Sequence, residues 1–406
     1  MKTELHCWEL PNKAMFWLKT DFWRRLYDLK RMEKLSWKEI ARKIGINSGN
    51  LQNYTSQLTG KKAQYVPLQT LLKISGFLKI PYFETEKFIV EAKYGRNGKP
   101  IQLSFPINFL TQEWASLVGA ILAEGNMHQN FGVGFWNKDE EILNNFTELA
   151  GKITPDGVRK EESIYGCFLP AIFGQILITG LGFKVGDKTR KNVGIPEIYL
   201  NSEDNQIVRS LLSWLFTGDG WVTMFRDHLN QIHRAVGIGF GSPKKDKQPQ
   251  LLIDTIKLLK NFDIRPSRPY QEIKKQKSGK ITYNWRIFIK GKENLDKFYR
   301  QISFQNLEKQ KILENALLSY EKPKRGDGES LNLLIKAITE LHASKKIINK
   351  NALAEETKLN SHWVQRLLKR AKDMKIVEVI GGGERTKGRW GGRNPYVYKL
   401  LKMVIS

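Results

Sequence analysis

WASLVGAILAEG, residues 114–125, and RSLLSWLFTGDG, residues 209–220, share one plan: an apolar helical run ending in an acidic residue followed by glycine. The two acids, Glu124 and Asp219, stand about 95 residues apart. Any core helix closed by a glycine cap can look like one of these stretches, but the segments after them repeat as well. GVGFW and AVGIGFG each read as a strand after a turn, and EEILNNFTELAGKI and PQLLIDTIKLLKNF as the next helix. Each half then returns through strands to a last helical segment. The expected fold is therefore α+β, an αββαββα outline repeated over about 103–200 and 201–320.

Outward from the repeat, the texture changes on both sides. Residues 20 to 95 read as short helices separated by sharp turns, and the polar, Gly-rich AKYGRNGKPIQLSF places a boundary near Lys99. The charged segment EKPKRGDGES places another at Pro323 to Glu329, after which SLNLLIKAITELH resumes a helical period. Three domains are expected, at 1–99, 100–322 and 323–406.

The chain carries 67 Lys and Arg against 41 Asp and Glu, a formal charge of +26, on an ordinary 41% of hydrophobic residues. So much uncompensated positive charge calls for a polyanion that collects on the surface and releases its counterions. Nucleic acid fits that need. A membrane partner is not expected, because the most apolar stretch, Cys167 to Phe183, is broken by Pro170, Gly174, Gln175, Gly180 and Gly182 and reads as a buried strand and helix. The opening MKTELHCWELPNK lacks the pattern of a secretory leader. Only Cys7 and Cys167 are present, without zinc-site spacing, so a reducing, cytoplasmic compartment is expected.

With Leu117 to Gly125 and Leu212 to Gly220 as its two motifs, the sequence resembles the single-chain, double-motif LAGLIDADG homing endonucleases, including those embedded in inteins. The stretch LGFKVGDKTRKNVGIPEIYLNSEDNQIVRSLLSWLF also matches that family's G-x-K, IPE and R-x-L-L lead-in, and the likeness runs from Leu103 to Tyr320. It implies a pseudo-twofold saddle in a monomer, with one acid per half and one cut per strand of double-stranded DNA. Like helices packed through small residues bring their carboxyl ends together, and paired acids need cations. Mg²⁺, or Mn²⁺, suits carboxylate and water oxygens. The expected metal site is Glu124 and Asp219 with the residues before them, Ala123 and Gly218. Lys290 is the first choice for a basic residue beside the acids, and Lys188 the alternative.

The saddle's exposed strands would meet the major groove, with Trp136 and Lys138 in the first half and Arg268, Lys274, Lys275, Arg286 and Lys290 in the second as contact candidates. A solvated strand face is the plain alternative at each. The sequence departs from the family at two points. Glu124 stands where Asp is commoner, and Trp214 fills the third motif position, where Gly119 keeps the small residue in the first motif. Either the tryptophan widens the helix crossing, or Gly119 receives its ring as a hole receives a knob, or it is a packed core residue without further effect.

Flanking segments add DNA-binding candidates. SWKEIARKIGINSGNLQNYTSQL has helix-turn-helix spacing with its turn at Gly45 and a second helix from about Ser48. There Asn50, Gln52 and Asn53 could read bases and Lys61 and Lys62 hold phosphate, unless the segment is a plain helical bundle. The C-terminal part resembles a winged helix with a two-stranded wing: Arg366, Lys369 and Arg370 on its third helix, with Arg385, Lys387, Arg389 and Arg393 in the wing, would grip phosphates. A protein-contact wing or a solvated basic loop is the alternative. Besides the endonuclease, two readings stay open: a non-cleaving transcription regulator on the same scaffold, and a maturase acting on intron RNA. An intein is not expected, since neither Met1 nor the end KMVIS offers splicing groups.

Overall fold

The computed structural model describes residues 3–59, 63–227, 232–242, 244–275, 281–320, 327–382 and 396–401. Lys61, Lys62, Arg385, Lys387, Arg389 and Arg393, named above as phosphate contacts, lie outside them.

The chain divides into two compact units, Met1–Trp221 with Val236–Leu313, and Val222–Ala235 with Glu314–Ser406. The first unit opens with β1 (Glu4–Leu5), β2 (Ala14–Leu18), α1 (Thr20–Met32), α2 (Trp37–Ile44), α3 (Ser48–Thr55), β3 (Val66–Pro67), α4 (Leu68–Phe77), α5 (Tyr82–Thr85), β4 (Ile89–Tyr94), β5 (Ile101–Gln102) and β6 (Ile107–Asn108). Ser36 and Glu39 form a capping box at the start of α2, and left-handed Gly45 ends it. Asn47 then caps α3 through the amides of Gly49 and Asn50. Besides the helices read from sequence, this region holds a sheet of order β3-β2-β4-β5. Its pairs Glu91 with Gln102 and Ala92 with Ile101 cross residue 99, and β1 pairs with β6.

The first repeat follows as α6 (Gln112–Glu124), β7 (Gly125–Met127), β8 (Val133–Trp136), α7 (Glu140–Ile153), β9 (Arg159–Glu161), β10 (Gly166–Leu169) and α8 (Ala171–Leu181). Two short helices, α9 (Lys188–Lys191) and α10 (Glu197–Leu200), lead to the second. That one runs α11 (Asn205–Asp219), β11 (Gly220–Arg226), β12 (Ile232–Ser242), α12 (Gln250–Lys260), β13 (Tyr270–Lys275), β14 (Ile281–Lys290) and α13 (Lys292–Gln301), with α14 (Leu307–Leu318) after it. Strand orders β7-β8-β10-β9 and β11-β12-β14-β13 are the same order of equivalent elements. The αββαββα plan is thus present twice. Among the described residues no helix is long and apolar enough to cross a membrane, and Cys167 to Phe183 contributes β10 and α8.

In the second unit, Arg234 donates to the hydroxyl and carbonyl of Ser319 and covers the ring of Tyr320 at 4.1 Å. The rest is α15 (Asp327–Ala343), β15 (Ile348–Asn349), α16 (Lys350–Thr357), α17 (Ser361–Asp373), β16 (Val377–Gly381) and β17 (Val397–Leu400). Its three helices close on their own core of Leu334, Ile338, Leu353, Val364 and Leu368. The sheet has three strands, β15-β17-β16, one more than the two read from sequence.

Candidate active site

Helices α6 and α11 meet through backbone. A Cβ built on Gly119 would come within 2.2 Å of the Leu211 carbonyl oxygen, and one on Gly218 within 2.5 Å of the Ala123 Cβ. Only glycine permits these approaches. Gly119 therefore faces Leu211, and no ring enters there. Trp214 is buried and lines a cavity of about 460 Å³ that also exposes Ser116, Gln112 and Gln206.

Each helix passes straight into a strand. Gly125 and Gly220 have extended backbone with negative φ, so neither is a left-handed cap. Glycine is needed there for a different reason: a side chain would strike Ile121 and Phe216 one turn back. Glu124 and Asp219 are the last helical residues, and a Cβ on Gly218 would reach the Glu124 Cγ at 3.0 Å.

Helix C-termini present unsatisfied carbonyls. Here two lysines cap them. Lys188 Nζ donates to the carbonyls of Ile121 (3.2 Å), Leu122 (2.8 Å) and Ala123 (2.6 Å) at the end of α6. Lys309 Nζ donates to those of Thr217 (2.6 Å) and Gly220 (2.7 Å) at the end of α11. The backbone amide of Gly186, bonded to the Met127 carbonyl, anchors the turn that leads into α9, whose first residue is Lys188. Lys309 is held by its neighbours: Gln305 bonds Thr217 and Ser213, and Asn306 bonds Asp139 and Glu141.

Enough protein surrounds the carboxyl groups that burial raises both acids, Asp219 to about 7, with Lys188 and Lys309 pulling the other way. Burial likewise lowers both lysines, against the attraction of the two acids. The cluster is two carboxyls and two ammonium groups, balanced in charge when all ionise. A cavity of about 160 Å³ opens on Asp219, Lys188, Thr189 and Asn192. Among the described residues no three His, Cys, Asp or Glu side chains gather for a metal. Two carboxylates with room for water and phosphate oxygens are nevertheless the hard donors that Mg²⁺ or Mn²⁺ accepts. The Ala123 carbonyl is already engaged by Lys188.

Lys290 is not where the sequence reading put it. It is exposed at the end of β14, its ammonium over the Phe288 ring at 5.1 Å, and the charges acting on the acids are those of Lys188 and Lys309. Lys309 was missed, although the sequence repeats its setting: Phe183 precedes Lys188 by the same interval as Phe304 precedes Lys309, each after its repeat's last helix.

The other candidates fall into place one by one. Trp136 lies on the face of β8 opposite buried Val133 and Phe135, covering Gly134 and Gly166 and meeting Phe168 edge-on at 5.6 Å. The second sheet builds a like pair from residues the sequence reading passed over: Trp221 covers Gly237 and meets Phe288 edge-on at 5.8 Å. Arg286 lies over Trp221 at 5.2 Å and pairs with Glu272. Lys138 is exposed in the loop after β8 and Arg268 in the loop before β13, so neither is a strand residue. Lys275 is exposed at the end of β13, where Lys274 pairs with Thr282 through the backbone. Asn50, Gln52 and Asn53 are exposed on α3, and Arg366, Lys369 and Arg370 on α17.

No family model matches the sequence, and no curated protein matches it. Among solved structures the chain is similar to "The homing endonuclease I-WcaI bound to its DNA recognition sequence", at 15% identity over 53% of this chain and 84% of that one, with a TM-score of 0.26.

Proposed function

We propose that this chain is a site-specific, divalent-metal-dependent double-strand DNA endonuclease of the LAGLIDADG kind, acting as a monomer. The observation that carries the reading is the cluster of two acids and two lysines: two topologically equivalent repeats end their first helices in Glu124 and Asp219, each helix end is capped by a lysine, and both lysines act on both acids. One chain supplies both halves, so no second copy is needed. A division near 323 belongs to the same proposal, with the N-terminal boundary moved from 99 to beyond β6, whose Asn108 pairs with Glu4; so do helix-turn-helix and winged-helix roles for the flanking segments.

In this reading Glu124 and Asp219 hold the metal, which when bound polarises a phosphoryl oxygen and eases deprotonation of water. Lys188 and Lys309 place positive charge at the two helix ends, where negative charge develops as each phosphodiester is attacked. Burial keeps a proton on Asp219 up to about pH 7, so the acid must release it before it can serve as a ligand. The sheet faces bearing Trp136 and Arg286 would receive duplex DNA, with exposed basic residues holding its phosphates.

The test is to incubate purified protein and a Glu124→Gln/Asp219→Asn variant with a randomised plasmid library and Mg²⁺, then sequence broken ends and bound fragments. Cuts at one long site from wild type alone support the endonuclease. Bound fragments with no cuts from either protein would overturn cleavage and leave a DNA-binding regulator.

A further inference from the structure

The N-terminal sheet has an open face that neither the acids nor the repeats use. Along β2, Ala14, Phe16 and Leu18 point into the core, so Met15 and Trp17 stand on the other side. Pairing puts Lys93 beside Met15 and Glu91 beside Trp17 on β4. Tyr65 completes the platform: its ring lies 5.4 Å from that of Trp17, its hydroxyl donates to Glu91, and the Lys93 ammonium sits 4.4 Å from its centroid. Lys93 also donates to the Arg96 carbonyl at 2.7 Å, which fixes the cation in place.

Across from this platform stands α3. Asn50 and Asn53, three residues apart and hence on one helical face, line the same groove. Both are exposed, and among the described residues neither side-chain amide makes a hydrogen bond. Between helix and sheet the groove encloses about 910 Å³, with Arg96 at its exposed edge. Its walls thus combine two tilted aromatic rings, free amide donors and acceptors, and the cations Lys93 and Arg96 beside a Glu91 carboxylate that the Tyr65 hydroxyl engages. A lipid or apolar peptide would leave the amides and cations unused.

We propose that this groove is a binding site for unpaired nucleotides. A base stacks on Trp17, with the Tyr65 ring, tilted 56° to it, closing one side; the base edge bonds the amides of Asn50 and Asn53, and Lys93 and Arg96 hold the flanking phosphates. Asn50 and Asn53 then face this groove, so the proposal replaces a duplex-reading role for α3; it is independent of the cleavage centre and stands whether or not the repeats cut DNA.

Because a net charge of +26 attracts any polyanion, the experiment must isolate the bases. Fluorescence anisotropy at raised salt would compare a labelled short oligothymidylate, an abasic oligomer of equal length, and a duplex. Wild type should prefer the base-bearing strand over the abasic one by about five- to hundredfold for each stacked base. Trp17→Ala and Asn50→Ala/Asn53→Ala should each erase most of that preference, while Arg96→Ala weakens both strands alike. A preference that survives in these variants, or is absent from wild type, overturns the proposal. So does a duplex that binds as well as the single strand and loses as much in the variants. If Trp17→Ala does not fold, the asparagine pair, on an exposed helix face, decides the question.

Discussion

Gly119→Ala puts the geometry of the acids to a direct test. The new methyl would sit 2.2 Å from the Leu211 carbonyl oxygen, about 1.2 Å short of ordinary contact at 3.4 Å. That oxygen belongs to helix backbone and cannot rotate aside, so α6 and α11 must separate. Overpacking of this kind costs about 1–3 kcal/mol, and an immovable neighbour puts it at the upper end. Alanine recovers about 1 kcal/mol of helix propensity. The net loss is about 2 kcal/mol, which in a unit of this size lowers Tm by about 3 °C.

Gly151→Ala is the matched control. It lies inside α7 with nothing within 4 Å of the added methyl, so only the propensity gain remains and Tm should rise slightly. Differential scanning calorimetry of both variants, with cleavage measured in parallel, reads the contrast. Should Gly119→Ala melt with wild type, the two helices do not meet through Gly119, and the placement of Glu124 beside Asp219 fails with it.

Lys309→Met and Lys188→Met should each lower single-turnover cleavage about hundredfold or more, whereas Lys290→Met leaves chemistry near wild type; a slow Lys290 variant with fast Lys309 and Lys188 variants would reverse the assignment. Asp219 keeps its proton to about pH 7 when folded against a usual 3.8, so the folded state binds the extra proton and stability should fall as pH rises between those values. Asp219→Asn should flatten that slope in urea titrations, and Mg²⁺ affinity of wild type, followed by calorimetry, should rise through the same window. Trp214→Ala should destabilise the first unit by about 3–5 kcal/mol, since the ring is buried; a small loss would mean that the adjoining cavity collapses readily around it.

The repeat was legible because its signals are local: apolar runs ended by acid and glycine, then strand and helix patterns in the same order twice. The N-terminal sheet was not, because β2 reads AMFWL, apolar on both faces, so the alternation that separates buried Phe16 from half-buried Trp17 is invisible without the partner strands. Two-residue strands such as β3 and β5 exist only through pairing, β3 with β2 about fifty residues earlier and β5 back onto β4. Lys290 attracted the reading by lying on a strand, but the lysines whose charges act on the two acids come after each repeat's last helix, and only a comparison of the two Phe-to-Lys intervals points to Lys309.

Trp214 shows why a motif position is not a structural position. Gly119 admits the Leu211 backbone in one direction across the seam, and the equivalent exchange in the other direction would set Trp214 against Ser116. There the seam opens into the polar cavity that both residues line. The pseudo-symmetry is therefore kept where it serves the acids, at Ala123 and Gly218, and relaxed toward the far ends of the same helices. A bulky residue in the third motif position is compatible with close approach at the seventh, so Trp214 is no reason by itself to expect an inactive centre.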